Sequence, residues 1–335
     1  MAITIRDVAE AAGVSTATVS RALRGLPNVD EATRARVQAI AAELDYVISP
    51  SASRLASGRT GSIGVITPYI SRWFFSTVIS GVESVLQSAG MDLLLMSVST
   101  SSSQHRLPPA PRLRRRVDGV LAIALQADDP QLDEVLDLGL PTSLIGTIKK
   151  GVAGVSIEDF NAACIATQHL INLGHSRIGV IRGNSAKSPS IPTFERYRGY
   201  RETMLAAGIQ PDSLLEAFGY FTLEGGEQAM TALLTNRDRP TAVFAMSDEM
   251  AFGAIRAVRA HGLVPGKDIS IIGVDNHSLA ELMDLTTVAQ PVFDLGRVAA
   301  EALLVQIRTG GSPMQQESIQ LPTQLIVRGS TSPVM

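Results

Sequence analysis

Thr4–Gly25, TIRDVAEAAGVSTATVSRALRG, reads as two short helices joined by a tight turn at Gly13. Apolar Ile5, Val8, Ala9 and Ala12 fall at i, i+3, i+4 and i+7 and so share one helical face. Thr4 stands where an N-cap belongs, and Asp7 three residues on is a weaker substitute for the Glu or Gln of a capping box. Gly13 supplies the backbone freedom of a sharp turn, and Ser15 caps the second helix. Val19, Ala22 and Leu23 form the apolar face of that helix, while Thr16, Ala17, Ser20 and Arg21 lie opposite. Helix, glycine turn and helix of this length make a helix-turn-helix unit, whose second helix enters the major groove of DNA. The alternative is a small helical hairpin packed on a larger domain. In the first role Arg21 reads a guanine edge, Thr16 reaches a base or a phosphate, and Ala17 makes only apolar contact, as with a thymine methyl.

Working outward, Asp30 caps a third helix that runs to about Leu44. Its Val37, Ile40, Ala41 and Leu44 close a three-helix core over the first two. Arg34 and Arg36 fall on the wetter faces of this helix, as solvated charge or as phosphate contacts. The Ser-, Gly- and Pro-rich stretch from Tyr46 to Gly61 is a linker by composition. Ser49 or Ser51 can also cap one or two helical turns there, which hold Ala52, Leu55 and Ala56. Helices shorter than about 12–15 residues are marginal in water, so this one orders only against something else.

From Ile63 onward strand-like runs alternate with helix-like segments. The strands are expected at Ile63–Thr67, Met91–Val98, Val117–Ala124, Arg177–Ile181, Thr241–Met246 and Ile269–Val274. The helices are expected at Phe75–Ala89, Phe160–Leu173, Phe194–Ala207, Glu224–Leu234 and Asp248–His261. Alternation of this kind means parallel sheets with helices on both faces, and a stretch of about 270 residues divides into two doubly wound lobes. Thr100–Arg116, TSSSQHRLPPAPRLRRR, breaks the pattern with three prolines and the cluster Arg112, Arg114, Arg115 and Arg116. It reads as a solvated surface loop, with a second nucleic-acid patch as the alternative.

The 335 residues, 45% hydrophobic and 18% charged, describe a globular protein of two or three compact units. The net charge of −3 does not announce a nucleic-acid binder, and residues through Arg59 carry only seven arginines against six carboxylates. A single cysteine, Cys164, excludes an internal disulfide and points to a reducing compartment. The opening MAITIRDVAEAAG has no basic segment followed by an apolar one, so no secretory signal is expected. No apolar run approaches the ~20 residues of a membrane span. A cytoplasmic location is expected.

DVAEAAGVSTATVSRALRG resembles the DNA-binding segment of the lactose-repressor (LacI/GalR) family of bacterial regulators, with the pattern met at Asp7–Ala9, Val14–Ser15 and Thr18–Ser20. LINLGHSRIGVIRG, ERYRGYRETMLAAGI, TAVFAMSDEMAFGAIRAV and ISIIGVDNHSLAELMDLTTVAQP are similar to the core segments of the same regulators. The resemblance implies a type I periplasmic-binding-protein fold behind an all-α DNA-binding domain. It places three lobe crossings near Glu158–Asp159, Ala289–Pro291 and Pro322–Gln324. The expected domains are 1–45 for DNA, 46–60 as hinge, and 61–335 as effector-binding core. One lobe takes about 61–158 and 291–322, and the other about 159–290 and 323–335. The resemblance also implies that the hinge folds on DNA with Leu55 wedged into the minor groove, although Pro50 comes later here than in most relatives. It extends the DNA-contacting set to Thr4, Ser15, Thr18, Ser20, Arg24, Asn28, Thr33, Arg34, Ser53 and Ala56, alongside Thr16, Ala17 and Arg21.

A catalytic reading lacks parts: GxSxG, HExxH and GxxxxGK[ST] are all missing, and the five histidines are not at metal-ligand spacing. No metal site and no cofactor are expected. Ligand binding has better material, because open α/β sheets bind ligands outside the carboxyl ends of their strands. Tyr69, Trp73, Phe74 and Phe75 follow the first strand in a chain that is only 4% aromatic. Their flat faces suit a sugar ring or a nucleobase, although Phe75 and Phe74 also suit the core face of the next helix. Arg196 can hold two oxygens at once, and Asp275 can accept from adjacent hydroxyls. Both match effector-contacting positions of the resembled family, and Ser247-Asp248 stands where many relatives have Asn-Asp. Inter-lobe or helix-cap ion pairing is the alternative for Arg196, Asp248 and Asp275.

Three base contacts per half-site are too few alone, so a homodimer on a near-palindromic double-stranded operator is expected. The effector is expected to be a mono- or disaccharide that releases DNA, with a purine-like or phosphorylated-sugar corepressor as alternative. A transport solute-binding protein shares such a core, but it needs a signal peptide and lacks residues 1–60. An enzyme needs an acid/base pair and a nucleophile that do not assemble here.

Overall fold

The computed structural model describes residues 3–46, 59–98, 113–183, 191–310 and 318–334. The N-terminal helices form one compact unit, and the α/β region beginning at Ser62 forms another. This is the expected fold class: a helix-turn-helix unit followed by two lobes built on parallel sheets.

In the first unit α1 (Ile5–Ala12), α2 (Thr16–Leu23) and α3 (Glu31–Glu43) enclose Val8, Ala9, Ala12, Val19, Ala22, Val37 and Ala41. Gly13 closes α1 at φ 63°, in the left-handed region that glycine enters without a Cβ penalty. At the other end the Asp7 carboxylate receives both the amide and the hydroxyl of Thr4, at 2.7 and 2.8 Å. These bonds hold the Asp7 carboxyl below its ordinary value.

The second unit has two six-stranded sheets. The first orders as β11 (Ile319–Leu321), β5 (Ala153–Ile157), β4 (Thr142–Ile145), β3 (Gly119–Ile123), β1 (Ser62–Thr67) and β2 (Asp92–Ser97), parallel throughout. The second orders as β12 (Gln324–Ile326), β10 (Thr286–Ala289), β9 (Ser270–Asp275), β8 (Ala242–Ala245), β6 (Ile178–Arg182) and β7 (Glu216–Phe218), with only β12 antiparallel. Strands β3 and β9 are buried along their whole length, as strands covered on both faces must be. The covering helices are α4 (Trp73–Ser88), α5 (Pro130–Leu136), α6 (Asp159–Asn172), α7 (Ile191–Ala206), α8 (Leu223–Leu234), α9 (Asp248–Ala260) and α10 (Val292–Thr309). The chain passes from one sheet to the other after Ile157, between Ala289 and Val292, and between Leu321 and Gln324.

The expected strands and helices are present with ends shifted by at most three residues. The expectation omitted α5, α10, β4, β5, β7, β10, β11 and β12. The short strands are too brief to show a period, and α10 carries exposed apolar Phe293 and Val305, which blur its apolar stripe. Most of the Thr100–Arg116 segment lies outside the described residues, but Arg114 Nε donates to the Leu138 carbonyl at 3.1 Å.

Candidate functional site

The outer face of α2 presents Thr16, Ala17 and Arg21 to solvent, while Val19 and Ala22 are fully buried beneath them. Ser15 caps the helix, its hydroxyl accepting from the Thr18 amide at 3.1 Å and lying 2.9 Å from the Thr18 hydroxyl. Arg24 folds back on Ser20, with Nε donating to its carbonyl at 3.0 Å and a terminal nitrogen to its hydroxyl at 2.7 Å. Asn28 takes a left-handed φ of 67°, and the Thr33 amide donates to Asp30 at 2.8 Å. Arg34 departs from the expectation of a solvent-facing charge. Its guanidinium donates to the carbonyls of Ala22 at 3.3 Å, Leu26 at 2.9 Å and Val29 at 3.5 Å. Its donors therefore tie α3 to the last turn of α2 and to the loop that follows it. Ser53, Leu55 and Ala56, expected in the hinge, lie outside the described residues.

In the second unit the carboxyl ends of β1 and β9 come face to face, because Trp73 at the start of α4 lies 4.5 Å from His277 between ring centroids. Tyr69 and Trp73 are half-buried there, and the Arg72 guanidinium sits 3.7 Å above the Tyr69 ring. Phe75 is buried in the core, edge-on to Tyr69 at 5.4 Å and to Phe74 at 5.3 Å. Its ring packs on the core face of α4, the alternative that the sequence also allows.

Arg196 is only 5% exposed, with Nε donating to Asp159 at 2.7 Å and a terminal nitrogen to the Met246 carbonyl. Asp275 lies at the end of β9 with φ 134°, a backbone region that L-residues rarely adopt, and accepts from Gln290 Nε2 at 2.5 Å. Burial pushes its carboxyl well above the usual range, Arg196 pulls it down, and the neighbouring Asp248 charge pushes it up again. Asp248 is fully buried, and burial raises its carboxyl as well. Its Oδ1 accepts from the Thr287 hydroxyl at 2.7 Å and its Oδ2 from the His277 amide at 2.8 Å. Both oxygens are thus engaged inside the lobe, and Asp248 positions the 275–277 turn. Gly273 makes this approach possible, since a Cβ there would overlap Asp248 Oδ1. Ser247 is engaged in the same region: its buried hydroxyl accepts from the Met250 amide at 3.3 Å and caps α9.

Asp159, Gln290 and His277 belong to this site and were not nominated from sequence. Tyr220 and Phe221 have consecutive left-handed φ values of 54° and 55°, and a Cβ at Gly183 would overlap the Phe221 ring. Gly183, directly after a strand, was the available signal of such a close approach. Among the described residues no group of three or more His, Cys, Asp or Glu is placed to hold a metal ion.

The profile of the bacterial regulatory proteins, lacI family, matches residues 4–49, and that of the periplasmic binding protein-like domain matches residues 167–331. The HTH-type transcriptional repressor CytR of Escherichia coli (strain K12) is 35% identical over 98% of this chain and 96% of its own length. The chain belongs to the lacI family. The lac repressor dimer bound to operator and the anti-inducer ONPF matches this lacI-family chain with a TM-score of 0.88 at 28% identity, over 99% of this chain and 100% of its own. The transcriptional regulator CelR in complex with cellobiose matches with a TM-score of 0.71 at 32% identity, over 98% and 99%. The family consists of DNA-binding regulators and not of enzymes. No helix among the described residues is long and apolar enough to cross a membrane.

Proposed function

We propose that this protein is a homodimeric, cytoplasmic transcriptional repressor of carbohydrate-utilisation genes, without catalytic activity, released from its operator by a small sugar. Residues 1–45 bind DNA, 46–60 form the hinge, and 61–335 bind the effector and pair the subunits. The observation that carries the DNA-binding reading is the split of α2, with a fully buried inner face under exposed Thr16, Ala17 and Arg21. A groove-reading helix needs that split. Arg21→Ala is expected to weaken retardation of operator DNA by about 1–3 kcal/mol, and unchanged retardation would sink the reading. Leu55→Ala is expected to weaken operator binding through loss of the minor-groove wedge while leaving ligand affinity unchanged.

The sugar reading rests on Arg196, Asp275 and Asp159 gathered beside Trp73 at the carboxyl ends of the strands. Among the described residues Asp159, Asp248 and Asp275 are buried with one arginine, Arg196, and carboxyls that accept or donate hydrogen bonds suit a neutral polyhydroxyl ligand better than a phosphorylated one. CelR, the relative seen with cellobiose, is consistent with that choice. Thermal-shift screening against mono- and disaccharides, purines and sugar phosphates tests it, because a ligand stabilises by RT ln(1 + [L]/Kd). A hit among sugar phosphates alone would overturn the neutral-sugar assignment.

A further inference from the structure

We propose that Trp73 and His277, joined by Glu249, form a latch between the two lobes that holds them together and covers a face of the indole. The inference rests on the reading of this region as the effector site only for its consequence for ligand entry.

The rings come from different sheets. Trp73 opens α4 on the first, and His277 follows β9 on the second. Their centroids are 4.5 Å apart with the planes tilted by 36°. The imidazole is fixed within its own lobe in three ways. The His277 amide donates to Asp248 at 2.8 Å, Nδ1 accepts from the Leu279 amide at 3.0 Å, and Phe252 of α9 packs edge-on at 5.2 Å. An Nδ1 acceptor leaves the neutral ring with its proton on Nε2. A ring so held cannot swing aside without breaking contacts at its base.

A second contact crosses at the same place. Arg72 occupies the N-cap of α4 without a side-chain bond to the helix start. The Glu249 carboxylate, on α9, accepts from the Trp73 amide with the Arg72 charge close by. A carboxylate at a helix N-terminus is favourably placed in the helix field. One residue of the first lobe is thereby held twice by the second, through its backbone and through its ring. A ligand ring that takes this indole face must displace the imidazole, so the latch sets a threshold that only a ligand favouring the displaced arrangement overcomes.

Amide hydrogen exchange on the full chain, with neither ligand nor DNA, tests the latch. His277→Ala is expected to speed exchange roughly 3- to 10-fold in residues 73–79 of the first lobe as well as in 276–280. His277→Tyr, which keeps a ring, is expected to restore residues 73–79. Glu249→Gln is expected to speed 73–79 without touching His277. Trp73 is the sole tryptophan, so its emission should shift to the red and quench more readily with acrylamide in His277→Ala. Acceleration confined to 276–280 in His277→Ala, with 73–79 unmoved in Glu249→Gln, would overturn the latch. That result would leave the repressor reading standing, since no operator or sugar enters the experiment.

Discussion

Asp275 is held in an unfavourable backbone region and buried beside a second carboxyl, a combination typical of residues kept for binding. Because its folded value is raised by burial, the acid form suits the fold. Stability from this group is complete below the ordinary aspartate value of about 4 and is lost as pH rises through the raised folded value. Asp275→Asn keeps an acceptor for Gln290 without the charge. Its urea-unfolding stability should therefore fall less than that of the wild type between about pH 4 and about pH 8, leaving the variant about 1–3 kcal/mol better placed at the upper end. A decline equal to that of the wild type would show that Asp275 does not carry the titration. Arg34 makes the matching point in the helical unit. Arg34→Met should lower its melting temperature without DNA present, through loss of about 1–3 kcal/mol of bonds to three carbonyls. A phosphate contact alone would leave melting unchanged and alter only the salt dependence of operator binding.

Helix α4 crosses α10 so closely that a Cβ on Gly81 would overlap the Phe293 carbonyl, and one on Gly296 would overlap the Val78 carbonyl. A glycine in a helix interior costs about 1 kcal/mol relative to alanine, which the close backbone approach offsets through packing. Gly296→Ala is therefore expected to destabilise the α/β unit by about 1–3 kcal/mol despite its better helix propensity, as read by chemical denaturation. A stabilised variant would show that the two helices can move apart freely. At this scale the sequence was informative where period and punctuation coincide. The α1–α2 hairpin, its cap at Ser15 and its turn at Gly13 are local devices, and most helices and long strands carry enough repeats to declare their type. The glycine crossing was not legible, because it depends on two backbones far apart in the chain.

Across the whole molecule the C-terminal segment ties the second lobe together. The Ile271 amide donates to the Ser330 carbonyl at 2.8 Å, and the Val334 amide to the Leu173 carbonyl at 2.9 Å. His175 is buried with Nδ1 3.0 Å from the Thr241 hydroxyl and Nε2 3.0 Å from the Ser332 carbonyl, while His169 Nε2 lies 3.0 Å from the Thr331 hydroxyl. Burial depresses both imidazoles. Their contribution is complete above the ordinary value of about 6.5 and is lost as pH falls through the depressed folded values. His175→Gln should flatten the loss of stability between about pH 7 and about pH 5, measured by urea unfolding. An unchanged slope would remove His175 as its source.

The sequence by itself determined what local chemistry controls: the reading hairpin, the caps, the alternation that yields two parallel-sheet lobes, and the nomination of Arg196 and Asp275. The tertiary structure decided which of these polar groups already have partners inside the protein. Asp248 and Ser247 stand at a strand end as the sequence requires, yet they already bond Thr287, His277 and Met250. Arg34 sits on an apparently wet helix face, yet ties α3 to the end of α2 and the loop beyond it. His277 and Phe221 acquire their roles from partners on other elements, Trp73 and Gly183. A side chain's capacity to bind is set by its own atoms, but whether that capacity is already satisfied depends on neighbours brought in from elsewhere in the chain.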